Sequence, residues 1–355
     1  MGLSGPIPAR VDAATKQGLL GLVARANVDG WSITAACSYL ELPKRRFERW
    51  RNRAGSGDLV DLAPGGNPVH QITPSEETEI LSVFEAWAEV DRSHRKLAHR
   101  GSWLDLFWCS PATVRRVLDR HDLRFRTLKR SAKGEKRPWP DWIDDQSPNR
   151  IWIYDTTHWT KAGAATTVIE DVVTRKWVAD ITSVDETSIE VQAVFTRALR
   201  DEGLAPIIED LNGDSDVGYD PDGDELPVLL VMSDNGPQMT SGSTREFMAL
   251  NWLATHYGRP GTPTDQAWIE SLFGRLKTEW PHLELIEDIK VLRAELGLRR
   301  EHYNTVRLHA GIGYITPEQA HTGQGPRLWA SRKTGLARAR QQRLNYNRNN
   351  QPNKN

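Results

Sequence analysis

Residues 228–238 read VLLVMSDNGPQ, an unbroken apolar run followed by an acid and a turn. A short apolar run bounded by turn residues is typical of a strand buried on both faces of a sheet. Upstream, residues 151–157 read IWIYDTT, a second apolar run that ends in an acid. Acids that follow buried strands commonly face the ligand crevice of an α/β sheet. The two stretches therefore predict an α/β domain with Asp155 and Asp234 facing its ligand crevice.

The elements around these two runs predict a mixed sheet flanked by helices. Two more strand-like stretches, residues 166–169 and 177–181, follow the first run at hairpin-like spacing. A helix is expected over about 188–200, and two more near 243–254 and 264–279. Strands, a helix, a buried strand and further helices in this order indicate an α/β domain.

The first sixty residues are predicted to form a small helical unit that ends in a basic helix. Residues 44–53 carry six Lys or Arg and one acid, with Phe47 and Trp50 on a single face. A helix, a short turn and a basic helix are typical of a helix-turn-helix DNA-binding module. A helical bundle with a solvated charged face is the alternative. The DNA-contact candidates here are Lys44, Arg45, Arg46 and Arg49.

A second helical unit of the same kind is predicted further along. Thr73-Pro74-Ser75-Glu76 has the pattern of a capping box with Pro at the first helical position. Ser110-Pro111 begins another helix in the same way. That helix carries the candidate DNA contacts Arg115, Arg116 and Arg120 around an apolar stripe, and the same two interpretations apply to it.

Charge is distributed unevenly along the 355 residues, although the net charge is only −1. Ten acids and no Lys or Arg lie between residues 201 and 225, whereas residues 327–355 hold eight Lys or Arg and no acid. Local basic patches of this kind are what meet phosphates. The two cysteines exclude a disulfide framework. No apolar run approaches the roughly 18 residues of a membrane span, and no signal peptide is visible, so no membrane partner is expected.

These observations predict five regions. A helix-turn-helix module covers residues 1–60, and a second such module covers 68–130. A basic linker covers 131–148, an α/β catalytic domain covers 149–320, and a basic, disordered tail covers 321–355.

A third acid, Glu270, lies inside the predicted helix 264–279 and completes a set of three carboxylates. Carboxylates with no His or Cys beside them form a hard oxygen site, which suits Mg²⁺ or Mn²⁺ rather than zinc. Two such ions about 3.5–4 Å apart can activate a hydroxyl and stabilise the leaving oxygen of a phosphoryl displacement. Asp171 and Asp185 are considered as competing ligands, although a turn or sheet-edge role is favoured for Asp171. Lys277, on a helix face similar to that of Glu270, is either a phosphate contact or a solvated lysine.

Four motifs together resemble the retroviral-integrase-like transposases. They are IWIYDTT at 151–157, SDNGPQ at 233–238, RPGTPTDQAWIESLF at 259–273, and the closing segment 302–317 with its HYN and GYITP stretches. Because 270 − 234 = 36, thirty-five residues separate Asp234 from Glu270, which is the D…D-x35-E spacing of that superfamily. The helical N-terminal half is similar to the tandem DNA-binding modules of bacterial insertion-sequence transposases.

The resemblance implies an RNase H-like catalytic fold in which Asp155, Asp234 and Glu270 are catalytic and hold two Mg²⁺ (or Mn²⁺) ions. It also implies a homo-oligomer on DNA, cleavage at the ends of a mobile element, and attack of a 3′-hydroxyl on target DNA. The expected location is the bacterial cytoplasm, at the nucleoid. The alternatives are a transposase-derived DNA-binding regulator without catalysis and a plain nuclease of RNase H type. Two departures stand out: an acidic insertion at 210–226, and no His/Cys zinc module.

Overall fold

The computed structural model describes residues 7–55, 57, 59–61, 69–123, 125, 147–213, 227–234, 236–257 and 267–350. The chain divides into two compact units, Met1–Val69 and His70–Asn355. The predicted basic linker lies outside the described residues except for 147 and 148. The acidic insertion likewise lies outside them except for 210–213.

The first unit contains three helices, α1 (Ala13–Val28), α2 (Ile33–Tyr39) and α3 (Lys44–Gly55). Ser32 caps α2 by accepting a hydrogen bond from the Ala35 amide. Phe47 and Trp50 are buried together in the core of this unit, which leaves the basic side chains of α3 around the outside. The predicted order of helix, turn and basic helix is confirmed.

The second unit begins with α4 (Pro74–Trp87), α5 (His94–Trp103) and α6 (Pro111–Arg120). The capping box predicted at Thr73 and Glu76 is present at the start of α4. The middle helix, α5, was not predicted. It carries Arg100, whose side chain is fully buried and lies 2.6 Å from Asp91.

A cage of aromatic rings surrounds this buried arginine. The guanidinium of Arg100 lies 4.0 Å from the ring centroid of Trp87 and 4.6 Å from that of Trp103. It also donates a hydrogen bond of 2.8 Å to the carbonyl of Val306, in the C-terminal half of the unit. The arginine therefore fixes this helical group both internally and to the rest of the second unit.

The remaining elements form the sheet and the helices around it. In chain order they are β1 (Ile151–Trp159), β2 (Ala164–Asp171), β3 (Trp177–Ser183), α7 (Ser188–Asp201), α8 (Ala205–Gly213), β4 (Leu229–Ser233), α9 (Pro237–Thr240), α10 (Gly242–Leu250), β5 (Leu253–Tyr257), α11 (Ala267–Glu279), α12 (Ile289–Thr305), α13 (Pro317–His321) and α14 (Gly325–Asn349). The strand order is β3-β2-β1-β4-β5. The first three strands are antiparallel, whereas β4 runs parallel to β1, and β5 parallel to β4. This mixed five-stranded order is that of an RNase H-like fold, as predicted.

The sheet is covered on both faces because successive side chains of each strand point to opposite sides. Trp152 and Tyr154 of β1 belong to the core that contains Phe195 of α7. Ile151 and Ile153 belong to the opposite core, which contains side chains of α11 and α12. Packing within this second core places α11 against the middle of the sheet.

Two predictions about secondary structure were wrong. The helix expected over 243–254 ends at Leu250, and Leu253–Tyr257 forms the fifth strand. Trp252 has a left-handed φ of 54°, a conformation that cannot continue a helix. The tail expected to be disordered forms the 25-residue helix α14.

The helix α14 is ordered because it packs on the α4–α6 helical group. Arg343 donates hydrogen bonds of 2.7–2.9 Å to both carboxylate oxygens of Glu76 and another to the carbonyl of Trp108. The ring of Trp108 lies against Gly335, and the Arg338 guanidinium stacks 4.5 Å from the ring centroid. Composition alone did not indicate these partners, so the sequence favoured disorder.

Candidate active site

The register between β1 and β4 brings two of the three predicted acids side by side. Ile151 pairs with Leu230, and Ile153 pairs with Met232, a constant offset of 79 residues. The same offset places Asp155 opposite Asp234, because 155 + 79 = 234. Neighbouring strands lie about 4.8 Å apart. The two aspartates therefore lie side by side, Asp155 on β1 and Asp234 directly after the end of the neighbouring strand β4.

Both aspartates lie on the face of the sheet that α11 covers. Asp155 shares its side of β1 with Ile151 and Ile153, and Asp234 shares its side of β4 with Leu230 and Met232. Those four apolar side chains belong to the core that also contains Ile269, Leu272, Phe273 and Leu276 of α11. Glu270 lies in the first turn of this helix. Asp155 itself lies in the middle of β1, which continues to Trp159, and not at the strand's end as predicted.

The charges of the three carboxylates act on one another. The pKa of Asp155 is raised to about 6, first by burial and further by the negative charges of Asp234 and Glu270. The Thr156 amide, which donates to Asp155, and the nearby His158 oppose this shift. A carboxylate whose pKa is raised by two other carboxylates is typical of a cation-binding or acid–base site.

The carboxylates are not closed around a common point. One oxygen of Asp155 accepts the Thr156 amide at 2.7 Å, and one oxygen of Asp234 accepts the Gly236 amide at 2.8 Å. Glu270 is exposed. Within the described parts of the chain, no three His, Cys, Asp or Glu side chains are close enough to hold a metal ion together. The register thus brings the two aspartates to the face of the sheet on which α11 packs, and each of them accepts a hydrogen bond from a nearby backbone amide.

Lys277 lies on α11 beside β1, as its spacing from Glu270 predicts. Its ammonium is 3.4 Å from the carbonyl oxygen of His158, 3.3 Å from Glu284, and 5.5 Å from the ring centroid of Trp159. It remains partly exposed. The lysine is therefore held along the strand that carries Asp155, with its charge near the carboxylate face.

His158 is a neighbour of the site that the sequence reasoning missed. It follows Asp155 by three residues, and its Nε2 lies 2.6 Å from a carboxylate oxygen of Glu186. The signal that could have found it is its position in the first-acid strand, where β1 continues past Asp155.

Asp171 and Glu279 have structural partners of their own. Asp171 is buried and accepts the amides of Asn149 and Thr174, each at 2.7 Å, so it closes a turn at the end of β2. Glu279 pairs with the buried Arg307 at 2.8 Å. Asp185 is exposed in the segment after β3.

The basic residues proposed from the first helical unit divide into two groups. Lys44, Arg45 and Arg49 are exposed, and no hydrogen bond or ion pair engages them within the described part of the chain. Arg46 instead donates to the carbonyls of residues 7, 8 and 9 and stacks 4.4 Å from the ring centroid of Trp50. Its guanidinium is committed to holding the N-terminal segment, so Arg46 is a poor candidate for contacting DNA.

The basic residues proposed from α6, in the second helical unit, show a similar division. Arg115 and Arg116 are exposed and make only local contacts within α6, to Asp119 and to the Ala112 carbonyl. Arg120 donates to both carboxylate oxygens of Glu77, at 2.8 and 2.9 Å. This pairing between α6 and α4 neutralises Arg120, so a phosphate would have to compete with Glu77 for it.

The order and directions of the five strands are those of an RNase H-like domain. Residues 252–317, which contain Glu270 and the closing segment, match the integrase core domain family. No helix in the described residues combines the length and apolar character that a membrane span requires.

Three proteins of bacterial insertion elements are similar to parts of the chain. The transposase for insertion sequence element IS904 of Lactococcus lactis is 27% identical over 207 residues, which cover 55% of this chain and 72% of that protein. An uncharacterised protein of insertion element IS476 of Xanthomonas euvesicatoria is 35% identical over 94 residues, and covers 25% of this chain. One of insertion element IS407 of Burkholderia multivorans is 28% identical over 89 residues, again 25% of this chain.

The chain spans 26% and 32% of the length of the Xanthomonas and Burkholderia proteins. Its match to the integrase core domain family extends over residues 252–317, and its similarity to the IS904 transposase covers 55% of its length.

Viral integrases are among the similar solved structures. The simian T-cell lymphotropic virus intasome in complex with a PP2A regulatory subunit gives 17% identity and a TM-score of 0.39, covering 63% of this chain and 73% of that one. The BIV integrase catalytic core is 18% identical with a TM-score of 0.34, and the match covers 51% of this chain and 99% of that one. The HTLV-2 integrase catalytic core with magnesium is 19% identical with a TM-score of 0.32, and the match covers 49% of this chain and 96% of that one. The strand order, and not these low scores, defines the fold of the present chain.

Proposed function

We propose that this protein is a transposase that binds the ends of a mobile DNA element, cleaves the DNA and joins the 3′-hydroxyl ends to target DNA. The observation that carries the proposal is the register of β1 and β4, which sets Asp155 and Asp234 side by side beneath the helix bearing Glu270. The relationship to insertion-element transposases supports the same activity. The cytoplasmic location stays a prediction.

Asp155, Asp234 and Glu270 would hold Mg²⁺ or Mn²⁺, with two ions per site. The donor set fits such ions because it offers only carboxylate oxygens, which are hard ligands. Burial, and then the negative charges of Asp234 and Glu270, raise the pKa of Asp155, and a bound divalent cation would stabilise its charged form. A bound ion supplies Lewis acidity that stabilises the charge of a phosphate under attack.

The other residues of the chain bind and orient DNA in this proposal. Lys277 lies beside the carboxylate face, where its ammonium can hold a phosphate next to the one that reacts. The exposed basic side chains of α3 and α6 can neutralise phosphates or bind base edges when either helix enters a major groove. The helical modules would thus select the element ends, and a homo-oligomer on DNA would hold two ends together.

A strand-joining assay tests the proposal. Full-length protein is incubated with supercoiled plasmid and labelled oligonucleotides that carry the inverted repeats flanking its gene. A transposase gives joined strands, a plain nuclease gives hydrolysis alone, and a DNA-binding regulator gives neither product. Joining is expected with Mg²⁺ or Mn²⁺, little with Ca²⁺, and none with EDTA. Joining at full rate in EDTA would contradict the metal assignment.

Variants of the third acid refine the test. Glu270→Gln should reduce joining and cleavage by at least about 100-fold, since several kcal/mol of stabilisation are lost. DNA affinity should be retained, because the change lies outside the helical modules. Glu287→Gln is the matched control: it removes the same charge from an exposed position between α11 and α12. Near-normal joining by Glu270→Gln would exclude Glu270 as the third ligand.

A further inference from the structure

The helix α14 is basic along its whole length. It contains seven Lys or Arg and no acid between Gly325 and Asn349. In chain order these residues are Arg327, Arg332, Lys333, Arg338, Arg340, Arg343 and Arg348. The two sides of the helix use them differently.

Three of these seven basic residues, all arginines, hold the helix in place. Arg343 binds Glu76 and the Trp108 carbonyl, and Arg338 stacks on the Trp108 ring, as described above. Arg332 donates to the carbonyl oxygen of Gly313 at 2.8 Å and to that of Tyr314. These contacts account for the positive charge on the side of α14 that faces the rest of the second unit.

The remaining four basic residues are exposed. Lys333, Arg340 and Arg348 are separated by seven and eight residues, about two helical turns each, so they lie along one side of the helix. Arg340 approaches His70 at 3.5 Å. Across the described ranges, no acidic side chain pairs with any of the three. A stripe of cations about 22 Å long is thus left facing outward.

We propose that this outer stripe of α14, Lys333, Arg340 and Arg348, binds the phosphate backbone of duplex DNA. DNA presents a regular row of charges, one every 3.4 Å or so along each strand, and a straight row of cations can follow it. The net charge of the whole chain is −1, so attraction to DNA must come from local patches such as this one. The contact carries no sequence information, because it meets phosphates and not base edges.

The seating of α14 gives the stripe a defined place. Because the inward arginines tie the helix to Glu76 and to the Gly313 carbonyl, the stripe is part of the second unit, which also contains the carboxylate face. DNA on the stripe would be held at a constant position relative to that face. The choice of DNA as the ligand rests on the proposed function, but the binding test below does not require catalysis.

The test is the salt dependence of binding to a duplex of random sequence. In the full-length chain, Lys333→Ala, Arg340→Ala and Arg348→Ala are combined in one variant. Each phosphate contact contributes about 0.9 to the slope of log affinity against log salt. The triple variant should therefore bind more weakly. Because three contacts of about 0.9 each are lost, its slope should be about two to three units shallower.

Two matched variants separate the proposal from a general charge effect. A control triple, Arg92→Ala, Arg200→Ala and Lys290→Ala, removes the same charge from exposed positions elsewhere in the second unit. It should change the slope by less than about one unit. A charge-keeping triple, Lys333→Arg with Arg340→Lys and Arg348→Lys, should retain the wild-type slope.

Equal slopes for the alanine triple and the control triple would overturn the proposal. That result would leave the stripe as a solvated face or as a surface for an acidic protein. Failure of the proposed function is distinguishable from this outcome: it appears as no joining by the wild-type protein, whatever the slopes. Circular dichroism spectra and thermal unfolding that match wild type verify that each variant is folded.

Discussion

Replacing Gly335 with Ala tests the seating of α14 on the α4–α6 group. A Cβ atom at this position would lie 2.1 Å from Nε1 and 2.2 Å from Cδ1 of Trp108. Both distances are far below van der Waals contact, so the indole or the helix must move. The indole is a rigid ring stacked under Arg338, and Arg343 binds the Trp108 carbonyl. The clash therefore cannot be relieved by a simple side-chain rotation.

Two opposing contributions decide the sign of the effect. Alanine in a helix interior is favoured over glycine by about 0.5–1 kcal/mol. Forcing an extra methyl group into a packed contact costs typically about 1–3 kcal/mol, and more where backbone must shift. Gly335→Ala is therefore expected to lower the free energy of unfolding by about 1–2 kcal/mol.

Gly297 in α12 provides the control. It is also helical, but nothing lies within 4 Å of a Cβ built there. Gly297→Ala should raise the free energy of unfolding by about 0.5–1 kcal/mol. Urea unfolding followed by circular dichroism measures both variants, and protease sensitivity of the C-terminal helix should rise in Gly335→Ala alone. If Gly335→Ala were as stabilising as Gly297→Ala, α14 would not lie against Trp108.

Three further outcomes follow from the contacts described above. Burial lowers the pKa of His99 to about 4; the unfolded chain then binds more protons between about pH 4 and 6.5, so stability should fall as pH drops through this range, by at most about 2–3 kcal/mol. His99→Phe, which keeps an aromatic ring, should flatten that part of the urea-unfolding profile, and an unchanged profile would assign the titration elsewhere. Asp91→Asn leaves the charge of Arg100 buried without its partner, so unfolding should become easier by about 3–5 kcal/mol; a loss under about 1 kcal/mol would contradict the buried pair. Replacing Arg45 and Arg49 by Ala should weaken DNA binding by the full-length chain: loss of preference for element ends over random DNA marks base contacts, equal weakening marks phosphate contacts, and unchanged binding would exclude α3.

The parts of the fold that the sequence predicted are those encoded by neighbouring residues. The run from Ile151 to Tyr154 forms a strand because each of its side chains is apolar and fits a buried sheet. The caps at Thr73 and Ser110 satisfy free amides one turn away, so each helix start could be located from a few residues. The acid spacing likewise indicated which carboxylates to consider together.

The parts that could not be predicted depend on contacts far along the chain. The order of α14 relies on Arg343 reaching Glu76, 267 residues earlier. The end of α10 depends on the left-handed conformation of Trp252, a residue with no local signal for it. The alignment of Asp155 with Asp234 follows from pairing between strand residues 79 positions apart, such as Ile153 and Met232. In each case the deciding partner lies outside any window over which a pattern can be recognised.

The assignment of DNA-contacting arginines shows the same limit on a smaller scale. Arg45 and Arg46 are adjacent and indistinguishable by composition. In the structure, Arg45 is exposed, whereas Arg46 is occupied by the backbone of residues 7–9. A count of basic residues therefore predicts where a positive surface lies, but not which guanidinium groups on it are available to contact DNA.

The parallel pairing of β1 with β4 makes the carboxylate pair independent of the length of chain between its members. Pairing of Ile151–Ile153 with Leu230–Met232 brings Asp155 and Asp234 into line, and every pair of that ladder lies within β1 and β4. The connection after α8 is therefore a suitable place to insert a fluorescent or affinity domain. A protein engineered there should keep the two aspartates aligned, which would allow it to be isolated or imaged with the carboxylate pair intact.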